Sequence, residues 1–256
     1  MKRALWTGAA ALIAVAIVSP FLDAGFARPR IERALKRGLG RRVEIGRAYF
    51  SLFAGPGFTL EDVTIGEDPR AGIEPFAHVP SLGARVSLLG LLSRRLEFSN
   101  LTLGADTTIN LVKTAAGPWN FQLLLGSAPA MAGAMPSIKM RGGRVNFKFG
   151  DSKSVFYFDD ADFNISRSGT RSMELRFSGA PARTDRAGQD FGHFFVRGTW
   201  DPSRLDFNVE LEPSSIDEVA RLFDRGGFGL HGLLGLEARI SGPPSKIEVA
   251  GQLQLT

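Results

Sequence analysis

From Val43 to the C-terminus the chain repeats one pattern, short runs in which apolar and polar residues alternate. They include RVEIG, FTLEDVTIG, ARVSL, LEFSNLTLG, TINLVK, GRVNFKFG, DFNIS, ELRFSG, FFVRGTW, LDFNVELE, LEARISG and KIEVAGQLQL. Alternation sustained over about four to eight residues marks a half-buried strand, because successive side chains point to opposite faces. So many such strands with short turns predict a β-dominated, largely antiparallel sheet. Glycine follows or interrupts several runs, at Gly179, Gly198, Gly242 and Gly251. Glycine in a strand marks a bulge or bend, so the sheet is expected to curve.

Within this pattern, Leu96 to Asn120 reads as a hairpin: Leu96, Phe98, Leu101 and Leu103, then Ile109 and Leu111, flank a Gly-Ala-Asp-Thr-Thr turn. Gly150-Asp151 is expected to turn VNFKF into KSVFYF. A few helices interrupt the strands. RPRIERALKRGLG places Ile31, Ala34, Leu35 and Leu39 on one helical stripe, with Pro29 suited to a first position and glycines to end the run. Leu88 to Arg95 is a short apolar segment expected to cap the sheet. Ser214 to Phe223 has Ser215 and Glu218 at capping-box spacing and predicts a second capping helix. Residues 126–137, small, uncharged and proline-interrupted, read as a linker.

The N-terminus carries a different signal. Lys2 and Arg3 precede Ala4 to Leu22, which holds no charged residue and is close to the roughly 20 apolar residues that cross a bilayer core. A cleaved signal peptide is the alternative reading. Its apolar stretch is shorter, about 7 to 15 residues, and ends at a small-x-small site, whereas none follows Pro20; an uncleaved anchor is favoured. Arg28, Arg30, Arg33, Lys36 and Arg37, with Arg41 and Arg42, form a basic cluster directly after it. Such residues are worth about 1 kcal/mol each at an anionic lipid surface, so Arg28, Arg30, Arg33, Lys36 and Arg37 are candidate contacts for lipid head groups. Packing of this helix on the first strands explains it equally well. The positive-inside rule alone leaves the body in the cytoplasm, but a long following domain translocates largely regardless of charge.

The formal charge of +5 does not indicate nucleic acid, because 26 acidic residues are interleaved with the basic ones and no reader motif occurs. No cysteine is present, which excludes a disulfide framework and a thiolate metal site. His78, His193 and His231 stand singly, without the close ligand spacing of a zinc site. Asp159, Asp160 and Asp162 resemble the opening of a calcium loop but lack its glycine and closing glutamate. Gly227, Gly229, Gly232 and Gly235 do not have dinucleotide-binding spacing, and neither a P-loop nor a nucleophile elbow occurs. Arg183, Asp185, Arg186 and Asp190 read as a solvated turn. The expectation is a protein that is not an enzyme and uses no cofactor and no metal.

Taken in order, the N-terminal span, RIERALKRGLGRRVEIG, PGFTLEDVTIGEDP, ARVSLLGLLSRRLEFSNLTL, INLVKTAAGPWNF, GGRVNFKFGD, GAPARTDR and GLLGLEARISGPPSKIEVAGQLQL resemble the N-terminal region of AsmA-like proteins of Gram-negative bacteria. Two departures stand out. Gly104-Ala105-Asp106 replaces a proline that such proteins often carry between two strands, and the chain stops mid-pattern, so it resembles a portion of a longer protein.

The resemblance implies an inner-membrane anchor, a periplasmic body and a role in outer-membrane or envelope biogenesis. The family is similar to bridge-like lipid transfer proteins, whose chorein-type N-terminal module opens a sheet curled into an apolar groove or half-barrel. The expected layout is an anchor over residues 1–25, a chorein-like module over 26–125, a linker over 126–137 and a continuing β-rich region over 138–256. Candidate groove-lining residues are Val43, Ile45, Phe58, Leu60, Leu96, Phe98, Leu101, Leu103, Phe147 and Phe149. The expected partners are inner-membrane phospholipids, with outer-membrane components as further partners. Two alternatives stay open: a closed core beneath the helices in place of a groove, and a non-enzymatic assembly factor for outer-membrane proteins that works through a sheet edge.

Overall fold

The computed structural model describes residues 22–256, apart from 53–54, 69–70, 88–89, 91–95, 114–116, 118, 121–135, 150–155, 170–171, 185–191, 202, 218, 220–228, 230 and 244–245; side chains 38 and 149 are also outside the description. The apolar span up to residue 21, the segment 88–95 save Gly90, the linker up to residue 135, the Gly150-Asp151 turn and residues 185–190 of the charged loop therefore lie outside the described residues. Among the described residues no helix is long and apolar enough to cross a membrane.

A 3-10 turn, Gly25–Ala27, runs into α1 (Arg28–Leu39). The stripe read from the sequence is the packed one: Ile31 and Leu35 are buried, and Ala34 and Leu39 pack beside them. Gly40 ends α1 in the left-handed region, φ 65°, its N–H donating to Lys36 O at 2.8 Å. That is the conformation for which glycine costs least.

Twelve strands follow: β1 (Val43–Ser51), β2 (Gly57–Ile65), β3 (Ala77–Val86), β4 (Phe98–Leu103), β5 (Thr108–Lys113), β6 (Ser137–Phe149), β7 (Phe156–Arg167), β8 (Met173–Arg183), β9 (Phe194–Trp200), β10 (Leu205–Ser215), β11 (Leu233–Gly242) and β12 (Glu248–Leu255). They form one large curved sheet in the order β1-β2-β3-β4-β6-β7-β8-β9-β10-β11-β12. Neighbours pair antiparallel except at β6, which runs parallel to β4 and β5.

The expected hairpin at Leu96–Asn120 is corrected by this pairing. β4 and β5 do not pair with each other; they follow one another along the same slot between β3 and β6. β4 pairs with β3 from Val86 to Leu82, and β5 continues at His78 and Ala77. The Gly-Ala-Asp-Thr segment is a kink within one interrupted strand. Gly104 N still donates to Ser81 O at 2.8 Å, Asp106 takes φ 63°, and Thr107 Oγ1 donates to Gly104 O at 2.7 Å. The second capping helix is shifted as well: β10 runs through Ser214 and Ser215, Ser214 Oγ donates to Glu212 O, and helical residues begin only at Ile216.

Register shifts within the β6–β7 and β7–β8 pairings and on β10 bend the strands. The Asp159–Asp162 stretch is one of these bulges, with Asp160 at φ 46° and Asp162 accepting from Gly142 N at 2.8 Å. Gly198 permits close approach of β10, since a Cβ there would lie 2.1 Å from Asp206 O and 2.6 Å from Phe207 Cα. Gly198→Ala is therefore expected to push β10 aside and to cost about 1–3 kcal/mol, seen as a lower denaturation midpoint.

The two outer edges differ. On β1, Ala48 O accepts from Ala24 N at 2.8 Å, Phe50 N donates to Leu22 O at 3.1 Å, Ile45 N donates to Glu32 Oε1 at 3.1 Å and Gly46 O accepts from Arg28 Nη1 at 3.2 Å. That edge is covered by residues 22–32. At the other edge every residue of β12 is exposed.

Candidate functional site

Residues opposite one another in register share a face of a sheet, so a row can be followed from strand to strand. One row is Phe50, Phe58, Ala84, Leu101, Ile138, Ile165, Leu175, Gly198, Phe207, Ile240 and Val249. The next on the same face is Ala48, Leu60, Leu82, Leu103, Met140, Phe163, Phe177, Val196, Val209, Ala238 and Gly251. Neither row contains a charged or hydrogen-bonding side chain. The row between them, on the opposite face, is Tyr49, Thr59, Gly83, Thr102, Lys139, Asn164, Arg176, Arg197, Asn208, Arg239 and Ala250. One face of the sheet is thus apolar from edge to edge and the other is polar.

Exposure changes along the apolar face. From β1 to β6 it is mostly closed: Leu60 is fully buried, Ala48, Leu82, Ala84, Leu101, Leu103 and Met140 lie with it in one cluster, and Phe50, Phe58 and Ile138 pack half-buried against it. From β7 to β11 the same rows are half-buried. On β12 the face is open, with Val249 at 68% and Leu253, two residues beyond Gly251, at 66% exposure. Between the closed and open parts sits an aromatic cluster. Phe158 has the rings of Phe147, Phe156, Phe177 and Phe194 within 5.1–5.6 Å, mostly edge to face.

The predicted lining residues fall in the closed half. Val43, Ile45, Leu60, Phe98, Leu101 and Leu103 are buried, Phe58, Leu96 and Phe147 are packed partly buried against them, and the Phe149 side chain is outside the description. The open half, Ile165, Leu175, Val196, Phe207, Val209 and Ile240, was not singled out from sequence. Its signal was the alternation in ELRFSG, FFVRGTW, LDFNVELE and LEARISG, which gives parity within each strand and not the register that joins one strand to the next. The predicted head-group residues Arg28, Arg30, Arg33, Lys36 and Arg37 are all exposed on α1.

A model of the AsmA family matches residues 1–186. The chain belongs to the AsmA family. Neither a curated protein nor a solved structure matches it significantly. Membership brings an envelope-related function, and the large β-sheet is consistent with it.

In this AsmA-family chain a buried polar hub fixes the closed half of the sheet. Arg41 and Glu67 form an ion pair with side chains 7% and 2% exposed. Arg41 also donates to Asn120 O at 2.9 Å and lies over the Phe76 ring at 4.8 Å. Asn120, fully buried, donates through Nδ2 to Glu67 Oε2 at 2.5 Å and to Asn110 O at 2.8 Å, and accepts from Val112 N at 3.1 Å. The hub ties the end of α1, the loop after β2, β5 and the chain beyond β5 together. On the polar face, Arg239 donates two hydrogen bonds to Asp206, which hold that carboxyl below the usual carboxylate range. Arg239 and Asp206 thus pair across β10 and β11 in contact with water, and Arg176 pairs with Glu174 along β8.

Proposed function

We propose that this chain is an inner-membrane-anchored envelope-biogenesis protein, with its body in the periplasm, that shelters lipid acyl chains on its apolar face without catalysis. The observation that supports this reading is the pair of rows without a polar side chain crossing eleven described strands of the sheet, mostly closed at one end and increasingly open toward β12. A lipid tail removed from water gains roughly 0.8 kcal/mol per buried CH₂, and half-buried rows leave such surface unsatisfied. Head groups stay solvated at the groove's margin, and no reacting side chain is required. The anchor is the Ala4–Leu22 run.

The test is photocrosslinking in membranes from a reactive residue placed at Phe163 or Phe207, on the open part of the face. Phospholipid adducts are expected there and not from Asn208 or Arg176 on the polar face. Recovery of no lipid from either apolar position would reject the groove.

A second reading, assembly of outer-membrane proteins, is favoured by one observation. β12 presents a full edge of exposed residues to which an extended partner strand can add by backbone pairing. Polypeptide adducts from β12, with no lipid from Phe163 and Phe207, would establish that reading in place of the first.

A further inference from the structure

We infer that the corner formed by the 3-10 turn and α1 docks on the surface of an anionic lipid bilayer and sets Phe26 at the interface, beside the β1 margin of the apolar face; this rests on the groove reading above. Phe26 is 75% exposed. It lies in the 3-10 turn that leads into α1, where Arg30, Arg33 and Arg37 follow at helical spacing on one stripe, on the side away from Ile31 and Leu35. Among the described residues Arg33 and Arg37 donate through Nε to carbonyls of their own helix, Pro29 O at 3.0 Å and Arg33 O at 3.4 Å. Glu32, the acid of α1, is turned inward to Ile45 N and Arg28. The outward face of α1 is therefore cationic, and Asp23, the exposed carboxylate beside the 3-10 turn, accepts from Gly25 N at 2.7 Å.

Exposed Leu22 and Leu52, 50% and 40%, flank the same end of β1, where Leu22 O accepts from Phe50 N. Cations alone would fit any anion. Cations beside exposed aromatic and aliphatic groups fit a surface with phosphates above and hydrocarbon below. The sequence reaches this corner directly from the Ala4–Leu22 run. From Phe26 the rings continue inward, 5.8 Å to Phe50 and 5.5 Å from Phe50 to Phe58, and Phe50 and Phe58 begin the first apolar row. Phe26 thus joins the interface to the β1 margin of the apolar face.

Because the chain has no cysteine, one introduced residue takes a spin label alone. The full chain carrying Phe26→Cys is reconstituted in vesicles of phosphatidylglycerol with phosphatidylethanolamine, or of phosphatidylcholine only, and label collisions with oxygen and with a water-soluble nickel chelate are compared. Ile73→Cys, at a fully exposed site, is the aqueous reference. With anionic vesicles the label at 26 is expected to favour oxygen and that at 73 nickel. Arg30→Gln, Arg33→Gln and Arg37→Gln together should lower the docked-to-undocked ratio on the order of a hundredfold, as should neutral lipid. These three side chains are exposed, and an unchanged circular dichroism spectrum verifies the fold. A label at 26 as accessible to nickel as that at 73, or indifferent to lipid charge and to the triple substitution, overturns docking. Lipid adducts from Phe207 that persist in that case leave the groove standing; their loss with docking intact removes the groove instead.

Discussion

Replacing Arg41 with methionine is expected to lower the stability of the fold by about 3–5 kcal/mol, the usual cost of leaving one member of a buried ion pair without its partner. The Glu67 carboxylate would keep Asn120 Nδ2 and the Asp68 N–H as donors but lose the neutralising charge in a site from which water is excluded. Methionine preserves much of the packing over Phe76, so the loss reports charge and hydrogen bonding more than volume. Adding Glu67→Gln to Arg41→Met should recover much of it, because the orphaned charge is then gone. The readout is urea denaturation in detergent with an unchanged slope and a lower midpoint, or a fall in Tm of about 10 °C for a chain of this size. If the single and double variants were equally destabilised, the hub would be acting through shape alone.

The hub also marks the limit of what could be read from sequence. Arg41, Glu67 and Asn120 are far apart in the chain, and nothing in RRVEIG, IGEDP or GPWN announces that they meet. Local periodicity did identify α1, because the Ile31–Leu35 stripe is written in consecutive turns, and it identified the strands, because a period of two is a property of each run by itself. It misplaced β4 and β5 for the same reason. Gly104-Ala105-Asp106-Thr107-Thr108 has the composition of a reversing turn, yet the backbone keeps its heading: Gly104 continues to pair with Ser81, and the parallel neighbour β6 pairs with both halves. A parallel partner arriving after a long crossover leaves no local trace. Ser214 and Ser215 suit a helix cap, but pairing with Leu234 and Leu233 on β11 holds them in strand instead.

The same distinction explains why the closed half of the apolar face, and not its open half, is legible in the sequence. Phe98, Leu101 and Leu103 are dense in large aliphatic and aromatic groups and stand out in one run. Leu175, Val196, Val209 and Ala238 become a continuous surface only through the antiparallel registers of β7 to β11. A glycine at 198 within that surface removes a side chain where β9 and β10 approach, so even the gap in the row belongs to the curvature.

Substituting Val209 with glutamate is expected to cut lipid occupancy of the open half at least tenfold while leaving the sheet folded. Val209 is half-buried and lies opposite Val196 and Ala238, so a carboxylate there still reaches water in the empty protein, and stability should change by no more than about 1 kcal/mol. An acyl chain lying along the row would strip that water away, and a desolvated carboxylate without a partner costs several kcal/mol. A penalty of about 1.4 kcal/mol already reduces occupancy tenfold, so lipid adducts from a photoreactive residue at Phe207 should fall at least that far. Asn208→Glu adds the same charge one residue away on the polar face, beside Arg197 and Arg239 in register, and should leave the adducts unchanged. Val209→Leu, which keeps the surface apolar, should do the same. Equal lipid capture by the Val209→Glu and Asn208→Glu proteins would mean that the tails do not lie on this face, because only one of the two charges stands in their path.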